Sequence, residues 1–244
     1  MAAELIDGKK LAAETRAQIA AGVAALKAER GVTPGLAVIL VGDNPASVSY
    51  VTAKEKACAE AGMRSREIRL PATVAEADLL AEIAHLNADS AIHGILVQLP
   101  LPKGFDEKKV IDAMNRDASV HGILFFRPLP EGMDLRRVSD AIAPEKDVDG
   151  FTPVNVGKML IGEDCFLPCT PHGIIKLIEV TGMDLAGKHA VVIGRSNIVG
   201  KPVAALLSRK SVNATVTLCH TGTPDVGAFT RQADVVVVAA GRPK

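Results

Sequence analysis

The segment Val191-Val192-Ile193-Gly194-Arg195-Ser196-Asn197-Ile198-Val199-Gly200-Lys201-Pro202 restricts what this chain can fold into more than any other. A β-branched apolar run ends at Gly194, small and polar residues follow, and Gly200 opens a stretch with Val203, Leu206 and Leu207 at helical spacing. That order predicts a strand, a tight glycine loop and a helix start. Backbone N–H groups without helical partners, and the positive end of the helix dipole, make such a start attractive to phosphate. The spacing is Gly-x-Ser-x-x-x-Gly and differs from Gly-x-Gly-x-x-Gly, so an ordinary strand-to-helix turn is the competing reading. Arg195 and Ser196, directly after the strand, offer a guanidinium and a hydroxyl to an additional phosphate. A second strand, Ala214 to Leu218, ends at Cys219-His220-Thr221, where the ribose of a dinucleotide would lie.

Strand and helix patterns alternate along the 244 residues, which predicts two α/β units. The 28 basic and 28 acidic residues cancel, giving no electrostatic reason to expect nucleic acid or an anionic membrane as partner. No apolar run approaches the ~20 residues of a membrane span and the N-terminus lacks a signal-peptide core, so a cytoplasmic protein is expected. Cys58, Cys165, Cys169 and Cys219 have neither zinc-site nor disulfide-framework spacing and read as reduced thiols, with no metal.

Gly8 to Glu29 carries a helical pattern (Leu11, Thr15, Ile19, Val23, Leu26) closed by Gly31 and Pro34-Gly35. Leu36 to Val41 is a short apolar strand, and Gly42-Asp43-Asn44-Pro45 turns it into a helix that Gly62 ends. On that helix Tyr50, the only tyrosine, and Lys54 stand at i and i+4 and share one face. The helix starts at the C-terminal end of a strand, where open α/β sheets bind ligands. Either the tyrosine packs its ring on the core beside a solvated lysine, or the lysine handles protons in a dry cleft.

A strand over Ser65 to Leu70 and a helix over Val74 to Leu86 lead to Ile92-His93-Gly94-Ile95-Leu96-Val97-Gln98-Leu99-Pro100-Leu101-Pro102. Gln98, near the end of this buried strand, is either a hydrogen-bond partner for a ligand or a plain strand-end residue. The stretch then repeats at an offset of 28: Ile92-His93-Gly94-Ile95-Leu96 through Asp112-Ala113 recurs as Val120-His121-Gly122-Ile123-Leu124 through Asp140-Ala141. Pro100-Leu101-Pro102 matches Pro128-Leu129-Pro130 and Asp106 matches Asp134, but Gln98 aligns with Phe126 and Leu99 with Arg127. This is a duplicated βα unit rather than a solenoid. In Asp147-Val148-Asp149-Gly150-Phe151, one carboxylate facing a cleft with the other capping a helix competes with a solvated turn. In Pro168-Cys169-Thr170-Pro171, Thr170 is expected as N-cap and Pro171 as first residue of a helix running from His172 to Val180. Ala233 to Gly241 is expected as the third strand of the second sheet.

Five motifs together resemble the bifunctional methylenetetrahydrofolate dehydrogenase/cyclohydrolase family: Tyr50-Val51-Thr52-Ala53-Lys54, Gly94 through Pro102, Asp147 through Phe151, Pro168 through Pro171, and Gly194 through Pro202. The resemblance spans the chain apart from one copy of the repeat. It implies a two-domain α/β protein, usually a homodimer, with folate in the cleft between a catalytic domain at 1–150 and a Rossmann-like NADP-binding domain at 151–244. It implies hydride transfer from 5,10-methylenetetrahydrofolate to NADP⁺, then hydrolysis of the methenyl product to 10-formyltetrahydrofolate, an intermediate of purine biosynthesis. By the same resemblance Lys54 handles the proton of the water step, Tyr50 positions folate and lysine, Gln98 tunes the lysine and Asp149 holds the pterin. The cofactor set is Gly194, Arg195, Ser196, Ile198, Val199, Gly200, Thr221, Cys169 and Thr170, with Arg195, Ser196 and Thr221 on the ribose phosphate, favouring NADP over NAD.

Two departures from the family are expected to matter. A further strand, a glycine- and proline-rich loop and a C-terminal helix of the family have no counterpart before Lys244, and the repeat offers either Gln98 or Phe126 to the lysine. Connectivity favours the first copy beside Lys54, with the second looped out or added at an edge. A nucleotide-binding or dimerising module without turnover is the reading from another class, and a shikimate-type dehydrogenase is a third, with no evident use for Tyr50 and Lys54.

Overall fold

The structure is a computed structural model and describes residues 5–98, 107–116, 121–124 and 139–241. The backbone divides into two units, Asp7–Val148 and the chain from Asp149 onward.

In the first unit α1 (Gly8–Arg30) starts on Asp7, whose carboxylate accepts from the N–H groups of Lys9 and Lys10, and stops on Gly31 in the left-handed conformation. Its apolar stripe is covered unevenly, Val23 being buried and Ile19 exposed. The sheet is parallel, ordered β2 (Arg64–Leu70), β1 (Gly35–Val41), β3 (Gly94–Gln98). Strand β1 is central because Ala37 to Val41 is apolar on both faces and at most 4% exposed, as a strand sandwiched between layers requires. Helices α2 (Pro45–Glu60), α3 (Glu76–Asn87) and α4 (Glu107–Arg116) follow the three strands. Leu79, Ile83 and Leu86 of α3 and Val110, Ile111 and Met114 of α4 join the core at helical spacing.

The repeat is resolved by pairing. Strand β3 belongs to the first copy, while Ile123 of the second copy bridges in parallel to both Ile95 and Asp147. Ile123 of the second copy is therefore flanked by Ile95 of the first copy on one side and by Asp147 on the other. The reason is burial: Ile123 is 1% exposed and shares a core with Ile95, Ile111 and Met114. A polar clamp fastens the two copies. Lys146, buried in the 3₁₀ turn Pro144–Lys146, donates from Nζ to the carbonyls of Met114 (3.1 Å) and Asn115 (2.8 Å) at the end of α4. The Asn115 side chain donates to Ala141 O (2.5 Å) and accepts from Ala143 N–H (2.9 Å). Leu99 through Pro102, Asp106, Phe126, Arg127, Pro128 through Pro130 and Asp134 lie outside the described residues.

In the second unit α5 (Pro153–Ile161) is capped by Thr152, whose Oγ1 accepts from Asn155 N–H at 3.3 Å, so neither Asp147 nor Asp149 takes the capping role. The next helix, α6 (Cys169–Glu179), begins on Pro168 without a side-chain cap. Thr170 is thus inside the first turn and not its N-cap; a proline at 171 is compatible because first-turn N–H groups have no helical acceptor. The first backbone bond of the helix runs from His172 N–H to Pro168 O. The second sheet is parallel, ordered β5 (Thr215–Cys219), β4 (His189–Ile193), β6 (Val235–Val238). Ala190, Val191 and Val192 of central β4 are fully buried, and α7 (Gly200–Leu207) packs Val203, Leu206 and Leu207 into the same core. A short α8 (Val226–Thr230) precedes β6. Both units are α/β with parallel sheets, and the second is Rossmann-like.

Candidate active site

In the first unit the site residues come from the C-terminal ends of β1 and β3. The register pairs Leu40 with Gln98, so Gln98 ends its strand beside the turn that launches α2. Tyr50 and Lys54 follow on α2 one turn apart, Tyr50 being 53% exposed and Lys54 half-buried. Lys54 Nζ donates to Gln98 Oε1 at 3.5 Å, the long end of a hydrogen bond, and Gln98 is 1% exposed. The amine is therefore tethered to a buried amide of the first repeat copy, next to an exposed aromatic face.

In the second unit the glycine loop is already shaped for an anion. Gly194 sits at φ 116°, and a Cβ there would run into the carbonyl of Ala239; a Cβ on Gly200 would run into the carbonyl of Gly194. Both positions need glycine because backbone passes where a side chain would start. Ser196 Oγ accepts from the N–H groups of Val199 (3.1 Å) and Gly200 (3.3 Å), holding the loop folded while its hydroxyl proton stays a donor. Arg195, Ser196, Asn197 and Ile198 are exposed and Val199 half-buried. Thr221 is exposed in the turn after β5, which closes through His220 N–H to Thr223 Oγ1 (2.9 Å) and Gly222 N–H to His220 Nδ1 (3.0 Å). Because Ile193 pairs with Cys219, Arg195 and Thr221 leave adjacent strand ends. A glycine cradle at the head of an apolar helix, flanked by a guanidinium and two hydroxyls, fits a dinucleotide carrying a ribose phosphate.

Asp149 and Cys169 meet in this unit, a contact with no signal in the sequence. Cys169 Sγ donates to Asp149 Oδ1 at 3.6 Å. Gly150, at φ 65°, packs so tightly that a Cβ would strike the carbonyl of Phe166, three residues before α6. Cys169 is an exposed residue, but partial desolvation of its sulfur first, then the charge of Asp149, pushes the thiol above the ordinary cysteine range, so it remains a neutral donor. Thr170 beside it is exposed. Among the described residues the four cysteines are unbridged and no His, Cys, Asp or Glu cluster could hold a metal.

Comparison with known proteins points to one family. The family "Tetrahydrofolate dehydrogenase/cyclohydrolase, catalytic domain" matches residues 6–114 and again 108–149, two overlapping matches that mirror the duplication. Its companion, "Tetrahydrofolate dehydrogenase/cyclohydrolase, NAD(P)-binding domain", matches 168–244. The bifunctional protein FolD of Geobacillus thermodenitrificans is 52% identical over 244 residues, which is 100% of this chain and 75% of the relative. That of Moorella thermoacetica is also 52% identical, with 76% of its length covered. Among solved structures, the bifunctional FolD methylenetetrahydrofolate dehydrogenase/cyclohydrolase of Campylobacter jejuni superposes with a TM-score of 0.72 at 43% identity, covering 98% of this chain and 74% of that one. The Trypanosoma brucei enzyme, complexed with NADP cofactor and inhibitor, gives 0.70 at 35% identity, covering 99% and 73%. The chain thus spans about three quarters of each of these relatives. It belongs to the tetrahydrofolate dehydrogenase/cyclohydrolase family.

Proposed function

We propose that the chain oxidises 5,10-methylenetetrahydrofolate with NADP⁺ and hydrolyses the methenyl product to 10-formyltetrahydrofolate, with Lys54 as the proton carrier of the second step. The observation that carries this reading is the Lys54–Gln98 hydrogen bond at the C-terminal ends of β1 and β3.

Bound NADP⁺ supplies the hydride acceptor. Gly194 and Gly200 would let the backbone approach its pyrophosphate, and Ile198 and Val199 of the same loop would complete that part of the site. Arg195, Ser196 and Thr221 would take the ribose phosphate, and Thr170 would complete the cofactor set. Departure of the hydride is driven by the adjacent folate nitrogen, so orientation is the protein's main task in that step. In the second step water adds to the methenyl carbon and gives a proton to the Lys54 amine. As the carbon–N5 bond breaks, N5 receives that proton from Lys54, the carbinol hydroxyl releases its remaining proton to water as it becomes the formyl C=O, and the formyl group stays on N10. Gln98 anchors the amine, the Tyr50 ring presents a flat surface to the substrate, and Asp149 accepts from N–H donors of the pterin. The folate-facing lysine, tyrosine and glutamine belong to the Asp7–Val148 unit, and the cofactor loop and Asp149 to the other.

The family resemblance carries the finer parts of the reading: residues 1–150 and 151–244 as catalytic and cofactor-binding domains, a cytoplasmic homodimer, and a product that serves purine biosynthesis. No helix among the described residues is long and apolar enough to cross a membrane. The test follows methenyl-folate absorbance on mixing the chain with methylene-folate and NADP⁺. Formation followed by decay is the expected result. NADP⁺ binding without turnover would instead support a nucleotide-binding module.

A further inference from the structure

We propose that Cys169 is a positioning residue for Asp149, holding its carboxylate in the orientation that reads the pterin; this rests on the assignment of Asp149 to folate. The family motif puts Cys169 with the cofactor, but its thiol is spent on Asp149 Oδ1 at 3.6 Å.

Two separate contacts fix the aspartate to the start of α6. Backbone packing is the first: Gly150 sits against the Phe166 carbonyl so closely that no side chain fits, which pins the chain immediately after Asp149. The thiol is the second, and it fixes the side chain where the backbone contact cannot. Cys169 is also the first residue of an 11-residue helix, so the carboxylate lies by the positive end of that dipole. A carboxylate has about four lone-pair positions, so an S–H donor takes only part of what it can accept. For the arrangement to work the sulfur must keep its proton beside a negative charge. Partial desolvation of the sulfur and the charge of Asp149 both favour the protonated thiol.

The test is tetrahydrofolate binding by calorimetry, with KM and kcat for the dehydrogenase step, in Cys169→Ala, Cys169→Ser, Asp149→Asn and the Asp149→Asn/Cys169→Ala double variant. One neutral hydrogen bond corresponds to an affinity loss of about 3- to 10-fold in Cys169→Ala, in Kd and KM with kcat little changed. Serine, which keeps a donor, is expected to recover most of it. The double variant should bind no more weakly than Asp149→Asn alone, because the thiol acts through the carboxylate. Wild-type affinity in Cys169→Ala alongside weakened binding in Asp149→Asn would overturn the positioning role, as would additive losses in the double variant. Wild-type affinity in Asp149→Asn would overturn the folate assignment beneath it.

Discussion

Lys54 Nζ rests 3.5 Å from Gln98 Oε1, a hydrogen bond that joins helix α2 to the buried end of β3. Because Gln98 is 1% exposed, its amide has little freedom, and the amine inherits that restraint. Gln98→Ala is expected to lower the hydrolysis rate about 10- to 100-fold, within the range a positioned acid–base group contributes, with a smaller effect on hydride transfer. Separate assays of methenyl formation and methenyl decay check this. An unchanged decay rate would mean that the bond does not restrain the lysine in the reacting enzyme.

Gly200→Ala puts a methyl group into the carbonyl of Gly194, which must move. The displacement opens the loop that Ser196 ties together through the N–H groups of Val199 and Gly200. Expected outcomes are a lower melting temperature, from a cost of about 1–3 kcal/mol typical of overpacking, and NADP⁺ affinity reduced at least about tenfold, since a good part of an anion-binding N–H set is displaced. Thermal unfolding and calorimetry measure the two. Wild-type affinity would show that the loop adapts without loss.

Lys146→Met removes the cation that satisfies the Met114 and Asn115 carbonyls at the end of α4 while keeping most of the side-chain volume. Leaving those carbonyls unpaired in a buried place costs about 1–3 kcal/mol. Urea unfolding of the variant should report that loss. A stability equal to wild type would mean that the clamp between the repeat copies is not an energetic one.

The Cys169 thiol should alkylate slowly. The residue is exposed, but iodoacetamide reacts with the thiolate, and partial desolvation of the sulfur together with the Asp149 charge disfavours that form. The pH midpoint of the reaction is therefore expected above that of an ordinary cysteine. Asp149→Asn removes the negative neighbour and should shift the midpoint back downward, speeding alkylation at fixed pH. Site-resolved mass spectrometry separates Cys169 from Cys165. A slower or unchanged rate in Asp149→Asn would contradict the cause given.

Much of this architecture can be read directly from the residues because it depends on local sterics. The glycine loop is legible since Gly194 and Gly200 occupy positions closed to a Cβ, and the strand before it since Ala190 to Val192 is apolar and buried on both faces. Tyr50 and Lys54 are legible as a helical pair. The start of α6 is misread for a physical reason: proline is tolerated throughout a first turn, so Pro171 does not mark N1 and Thr170 is not the cap. Lys146 is missed because a lysine in an acidic and basic turn is ordinarily solvated, and only the fold brings two helix-end carbonyls to it. The Cys169–Asp149 contact depends on a turn that closes over 20 residues, and spacing alone carries no trace of it. The position of Ile123 between Ile95 and Asp147 follows from its burial, a tertiary demand that connectivity rules do not contain.

The most direct test of the central claim is a single progress curve with Lys54→Met, which keeps the helix and removes the amine. With methylene-folate and NADP⁺, NADPH should still form while the methenyl species accumulates and persists, its enzymatic hydrolysis reduced at least about a hundredfold, as expected on losing a positioned acid–base group. Decay of the methenyl signal at the wild-type rate, or equal loss of both steps, would contradict the assignment of the proton to Lys54.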